Sequence, residues 1–314
     1  MKKLIIQIPC YNEEKTLGIT LKSLPRKLTS IDIIEWLIVD DGSTDRTVEV
    51  ARAHGVHHLV SHPKNMGLAR AFMTGINACI GHGADIIVNA DADNQYCADD
   101  IPKLIEPILS GKAEIVIGAR PINQIKHFSP IKKFLQRLGS WVVRLASGTD
   151  IPDAPSGFRA ISRKAAMQLN VFNDYTYTLE TIIQAGQKGM AITSVPVRVN
   201  ENLRPSRLVK GILSYIKKSI VTIIRIFVVY KPFRFFASIG GILFGIGVLI
   251  GIRFIYFFFT GAGSGHIQSL ILASILIGIG FQTIMVGFVA DLLSVNRRLL
   301  EELQQKSREL NKKK

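Results

Sequence analysis

The residues best placed to do chemistry are Asp91-Ala92-Asp93, directly after the apolar run 86–89. Carboxylates at i and i+2 beyond a buried strand can converge on one hard cation, and Gln95 adds a neutral oxygen two residues on. Such an oxygen set around a divalent ion that also binds substrate phosphates is Mg²⁺ or Mn²⁺ chemistry. A D-x-D alone is common in surface loops; its place after a strand gives it weight. A second acidic pair, Asp40-Asp41, ends the run 36–39 and is followed by Gly42-Ser43. A carboxylate there can accept hydrogen bonds from a nucleobase or ribose, or can serve a helix N-terminus together with Ser43 and Asp45. Pro9-Cys10-Tyr11-Asn12-Glu13 ends the run 4–8 in the same way.

These clusters need elements that bring them together. Runs 4–8, 36–39, 58–61, 86–89 and 115–117 are β-branched and almost continuously apolar, the pattern of strands covered on both faces. Residues 13–24, 45–53, 68–80 and 100–109 between them have helical patterning, with Ser43 or Thr44 as N-cap of the second helix and Gly55 closing it. The alternation predicts an α/β fold with a mostly parallel sheet, whose ligands lie beyond the carboxyl ends of the strands. All three acidic clusters then share one rim. No G-x-G-x-x-G follows the first strand, which disfavours a nicotinamide or flavin site. Further on, 128–146, 162–169 and 178–187 read as helices and 190–199 as a late strand.

The net charge of +15 is unevenly placed. Residues 1–201 carry 23 Lys/Arg against 20 Asp/Glu, whereas residues 202–314 carry 16 against 4. A basic excess that flanks apolar segments suits anionic lipid headgroups and argues against nucleic acid as a partner. Segments 235–259 and 269–290 are long and apolar enough to span a bilayer, and 260–268 between them has no Lys or Arg. With Lys231 and Arg234 before the first span and Arg297 and Arg298 after the second, the positive-inside rule places both termini in the cytosol. Arg253 lies about two turns from the outer end, where it snorkels to that interface or faces a partner helix. On a helical wheel of 208–230, Lys210, Lys217, Lys218 and Arg225 gather opposite Ile212, Ile216, Ile220, Ile223 and Phe227, as in a helix lying on a membrane surface. The expected organisation is a catalytic domain at 1–203, basic juxtamembrane helices at 204–234, spans at 235–259 and 269–290, and a cytosolic tail helix at 291–314 suited to pairing in an oligomer. Cys10, Cys79 and Cys97 have no metal or disulfide spacing, which fits a reducing compartment. The start of the chain has too short an apolar run for a signal peptide. His54, His57, His58 and His62 flank a strand without metal-ligand spacing and read as solvated loop residues.

Together, Ile8-Pro9-Cys10-Tyr11-Asn12-Glu13, Val39-Asp40-Asp41-Gly42-Ser43-Thr44-Asp45, the D-x-D with Gln95, Gly118-Ala119-Arg120 and Asp153-Ala154-Pro155-Ser156-Gly157-Phe158-Arg159 resemble the family 2 glycosyltransferases. The branch most similar is the polyprenyl-phosphate one, which includes dolichol-phosphate mannose synthases and bactoprenol glucosyltransferases. The resemblance implies a GT-A (Rossmann-like) catalytic fold. It implies nucleotide-sugar contacts from Pro9, Tyr11, Asn12, Glu13, Asp40, Asp41, Asp91, Ala92 and Asp93, and metal ligation by Asp91, Asp93 and Gln95. It further implies an acceptor-phosphate site of Arg120, Lys132, Lys133, Arg204, Ser206 and Arg207, catalytic roles for Asp93, Asp153 and Arg120, and a homo-oligomer, a tetramer in that branch. The chain departs from the family pattern in three respects. Leu68 stands where a Lys is frequent, with Arg70 as a substitute. Lys132 and Lys133 stand where a phosphate-binding Arg is expected, and Arg207 replaces a Lys. A Lys is a point charge that cannot bind phosphate in the bidentate manner of Arg.

A lipid phosphate is anionic at neutral pH and needs no strong base, so direct displacement with inversion is expected, with Asp153 orienting rather than removing a proton. A processive polysaccharide synthase would carry Gln-x-x-Arg-Trp and more spans; Gln187-Lys188-Gly189-Met190 does not match. A non-catalytic membrane scaffold would have no need of the carboxylates.

Overall fold

The computed structural model describes residues 1–121, 130–171, 177–200, 212–261 and 263–310. The chain divides by its internal contacts into Met1–Ser219 and Ile220–Lys314.

The first unit is built on a seven-stranded sheet in the order β3-β2-β1-β4-β6-β5-β7. Its strands are β1 (Lys3–Cys10), β2 (Ile33–Asp40), β3 (His58–Ser61), β4 (Ile86–Asn89), β5 (Ile115–Ala119), β6 (Arg159–Ser162) and β7 (Ile192–Pro196). Helices α1 (Leu17–Ser23), α2 (Thr47–Ala53), α3 (Leu68–Gly81) and α4 (Ile101–Leu109) connect successive strands. β1, β2, β3 and β4 pair in parallel, as do β5 and β7. β6 runs antiparallel to both β4 and β5. This strand is absent from the periodicity, which assigns 162–169 to a helix. Helix α6 (Arg163–Gln168) does begin there, with the Ser162 hydroxyl accepting from the Ala165 amide, but the four residues before it form the inserted strand.

Every residue of β1 after Lys3 is buried, and Leu4, Ile6, Ile8, Trp36, Ile38, Val88 and Val116 share one core with α1 and α4. The opposite face is sealed by α3, which crosses so closely at Gly75 that a Cβ would lie 2.4 Å from Gln7 Oε1. Helices α5 (Pro130–Ser147) and α7 (Thr178–Gln187) meet at Gly186, where a Cβ would lie 2.0 Å from the Ser147 carbonyl oxygen.

Helix α2 starts at Thr47, later than expected, and neither Ser43 nor Thr44 caps it. Asp45 instead accepts from the Thr47 amide and hydroxyl, while the Ser43 hydroxyl is used by the Asn12 amide. Gly55, at φ +68°, does close the helix.

In the second unit, α9 (Pro232–Phe259) and α10 (Ile267–Leu310) are joined by a short 3₁₀ turn, Gly263–His266. α9 and the Ile267–Asn296 portion of α10 are each long and apolar enough to cross a bilayer, at about 42 and 45 Å. α10 continues without a break through the expected tail to Leu310. Glycines let the two helices approach: a Cβ on Gly280 would lie 2.6 Å from the Phe244 amide nitrogen, and one on Gly240 would lie 2.6 Å from the Gly280 carbonyl oxygen. Most of the remaining apolar surface of the hairpin, including Ile242, Leu249, Ile271 and Phe281, is exposed, as in helices whose solvent is lipid. Helix α8 (Ile212–Tyr230) precedes them.

Candidate active site

Strands β1, β2 and β4 end side by side, because Cys10 pairs with Asp40 and Gln7 pairs with Asn89. The loops that leave them therefore begin on one rim, as the strand pattern requires. The first two loops are knitted together. The Asn12 amide donates to Ser43 Oγ at 2.9 Å, the Thr44 amide to Asn12 Oδ1 at 2.8 Å and the Glu13 amide to Thr47 Oγ1 at 2.8 Å. Asn12 turns the chain in the left-handed region, φ 55°, and leaves Tyr11 exposed at the loop tip. Glu13 is buried and accepts from the Thr16 hydroxyl.

The two residues of the second acidic pair have separate surroundings. Asp40 accepts from the Ser43 amide at 3.1 Å. Asp41 is buried, accepts from the Met66 and Gly67 amides at 2.9 Å each, and meets His62 Nδ1 at 2.7 Å. Its carboxylate thus holds the turn before α3. Gly42, at φ +71°, is required beneath that turn, since a Cβ would lie 2.5 Å from the Lys64 carbonyl carbon.

The third loop carries Asp91, Ala92, Asp93 and Gln95. Ala92 is buried and the other three are half-buried. Burial and the neighbouring Asp93 carboxylate push the Asp91 carboxyl up to about 7, against the pull of Arg120 and Arg159. Gly157 passes directly over Asp91, and a Cβ there would lie 2.7 Å from Asp91 Oδ1. A buried polar chain supports this region from below. Gln7 donates to Asn89 Oδ1 at 2.9 Å, and the Asn89 amide group donates to the Gly157 carbonyl at 2.8 Å and the Tyr177 hydroxyl at 2.9 Å. Tyr177 stacks on Phe72 at 3.9 Å, and Tyr96 accepts from the Gly157 amide at 3.1 Å.

Arg120, just beyond β5, faces Asp153. Its Nε and Nη2 donate to Oδ2 and Oδ1 at 2.7 and 2.9 Å, and its backbone amide adds a third bond at 3.1 Å. The pair is almost wholly buried. Arg159 is enclosed completely and donates to Thr178 O, Thr181 Oγ1 and Ser156 O, with Nε unpartnered among the described residues. Arg163 donates to Ile80 O and Ala84 O at the end of α3. Both arginines therefore act within the fold. Lys132 and Lys133 fall in the first turn of α5. Arg204, Ser206 and Arg207 lie outside the described residues.

Of the four clustered histidines, His57 is exposed in a loop, as expected, whereas His54, His58 and His62 are half-buried. His58 Nε2 lies 2.7 Å from Glu35 Oε2 and its ring stacks on His82 at 3.7 Å; His57 Nδ1 accepts from the Trp36 amide, and His54 Nδ1 lies 2.9 Å from the Val50 carbonyl. Sequence reasoning missed Asn89, Tyr96 and Tyr177, since none belongs to a spacing motif and each acts through partners distant in sequence, such as Asn89 with Tyr177 and Tyr96 with Gly157.

Residues 5–169 match the family described as Glycosyl transferase family 2. The chain belongs to this family. It is 32% identical over 219 residues to the UDP-N-acetylglucosamine–dolichyl-phosphate N-acetylglucosaminyltransferase of Methanococcus voltae, covering 63% of this chain and 85% of that one. It is 27% identical over 217 residues to the undecaprenyl-phosphate mannosyltransferase of Micrococcus luteus, covering 66% and 87%. Among solved structures, glucosyl-3-phosphoglycerate synthase from Mycobacterium tuberculosis superposes with a TM-score of 0.57 at 22% identity, covering 72% of this chain and 80% of that one. The glycosyltransferase domain thus has the GT-A arrangement, with two apolar helices after it.

Proposed function

We infer that this glycosyltransferase moves a sugar from a UDP- or GDP-linked donor to a polyprenyl phosphate, undecaprenyl or dolichyl, with inversion, at the cytosolic face of a membrane. The observation that carries this reading is the convergence of the β1, β2 and β4 loops on one rim beside the buried Arg120–Asp153 pair, in a chain that also has two apolar helices. The names of the Methanococcus voltae and Micrococcus luteus relatives supply the acceptor class.

A divalent ion, Mg²⁺ or Mn²⁺, fits the third loop. Burial and the adjacent Asp93 carboxylate both raise the Asp91 carboxyl, and a cation between them relieves that repulsion. No group of three His, Cys, Asp or Glu side chains gathers among the described residues, so donor phosphates and Gln95 would complete the shell around Asp91 and Asp93. When bound, the ion stabilises negative charge on the departing diphosphate. A structure of the Mycobacterium tuberculosis synthase contains Mn²⁺ and UDP.

In this reading Tyr11, Glu13 and Asp40 bind the nucleotide beside Pro9 and Asn12. Asp41 serves that pocket indirectly, by holding the turn before α3. Arg120 presents its remaining N–H groups to the acceptor phosphate, assisted by Lys132, Lys133 and the basic segment 204–207. Asp153 has both oxygens committed to Arg120, so it orients the guanidinium rather than removing a proton. The acceptor oxygen, already anionic, forms the bond to the anomeric carbon as the bond to the diphosphate breaks.

Incubating membranes that contain the protein with labelled UDP- and GDP-sugars tests the reading. Label should pass into an organic-extractable, acid-labile lipid. Label in a polymer would favour a synthase, and no transfer from any donor would favour a scaffold.

A further inference from the structure

We propose that Asn200, which follows β7 and belongs to no spacing motif, is a positioning residue that sets the metal-binding shape of the loop 91–96. The proposal rests on the reading that this loop holds a divalent ion.

The loop makes a tight reversal, with Asn94 in the left-handed region at φ 56° and the Gln95 amide donating to Asp93 Oδ1 at 3.2 Å. Backbone carbonyls turned outward by such a reversal need donors from elsewhere. Ala92 O receives the Thr20 hydroxyl of α1 at 3.0 Å. The carbonyls of Asn94, Gln95 and Tyr96 all use one residue. Asn200 Nδ2 donates to Asn94 O at 3.0 Å and Tyr96 O at 3.1 Å, and the Asn200 amide donates to Gln95 O at 2.8 Å. Asn200 therefore brackets Gln95 on both sides, just past Asp93, from more than 100 positions along the chain.

The strap that carries Asn200 is anchored independently of its side chain. The Arg198 amide donates to Asp100 Oδ2 at 2.7 Å and its Nη2 to Oδ1 at 3.0 Å. Arg198 O accepts from the Cys97 amide, and Val199 bridges Tyr96. Removing the Asn200 carboxamide thus releases the Asn94 and Tyr96 carbonyls while leaving the backbone bond to Gln95 and the strap in place. Outer partners that orient ligands carry about 10–100-fold of metal affinity. Leucine at this position keeps the bulk, supplies no donor and excludes a replacement water.

The test is a Mn²⁺ titration followed by EPR, on the full-length protein with UDP or, separately, GDP. Asn200→Leu should weaken Mn²⁺ binding by about 10-fold or more, with kcat at saturating Mn²⁺ within about twofold of the unaltered chain, as expected of a residue that touches no reacting atom. Asn200→Ala, the variant to use if leucine prevents folding, should weaken binding several-fold in the same direction, with a melting temperature close to that of the parent. Asp93→Asn serves as the control. Weakening by Asp93→Asn with Asn200 variants indistinguishable from the parent would overturn the positioning role and leave the metal reading intact. Absence of Mn²⁺ binding by the unaltered chain would overturn both.

Discussion

Arg120 and Asp153 lie 33 positions apart, and neither residue type announces the other. Both were readable as candidates from the motifs that contain them, but their pairing is a property of the fold. β5 and β6 are neighbours, which brings the residue after one strand against the loop before the other. A planar fork fixed at two points presents its remaining donors in a set direction. Asp153→Asn should therefore cut turnover about 100-fold or more, and Arg120→Lys should not restore the bidentate geometry; steady-state rates on folded, purified variants check both. Gly157 was visible only as part of a motif, and its role is steric. Gly157→Ala places a methyl against the Asp91 carboxylate and should lower activity at least about tenfold, with a stability loss of about 1–3 kcal/mol from overpacking. Wild-type activity in that variant would mean that Asp91 moves freely.

At the scale of elements, the parallel strands were legible because a strand covered on both faces is continuously apolar. The residues of β6 sit between a polar loop and a helix start, so their pairing with β4 and β5 left no periodic trace. The histidine interactions were hidden for a related reason. His58 and His82 meet through the packing of β3 beside the end of α3, which spacing does not encode. The strap after β7 was equally silent, although its ion pair has a measurable consequence. Burial would raise the Asp100 carboxyl, but hydrogen bonds from Arg198 and Lys103 outweigh it and hold it at about 2. A depressed folded pKa contributes stability that is complete above the unfolded value near 3.9 and is lost as pH falls toward about 2. Because both cationic partners are largely exposed, solvent screening keeps the contribution small. Thermal melts from pH 6 to pH 2.5 should show the parent losing more stability than Asp100→Asn within this window. Parallel curves would show that the pair contributes nothing.

Across the whole molecule, the charge asymmetry and the two long apolar segments were plain in the residues, because spanning helices are set by length and composition alone. Which glycines form the seam between α9 and α10 was not, since glycines recur on several faces of both helices. Gly280→Leu would thrust a side chain at the Phe244 backbone and should lower the melting temperature in detergent, whereas Gly241→Leu, with nothing within 4 Å of its Cβ, should leave it nearly unchanged. Equal effects would contradict the seam. In the proposed reaction a lipid phosphate is the nucleophile. The most direct measurement supplies the purified full-length protein with its labelled donor and either a polyprenyl phosphate or the corresponding polyprenyl alcohol. Transfer to the phosphate alone, giving an acid-labile lipid-linked sugar, is the predicted result; equal glycosylation of the alcohol would contradict it.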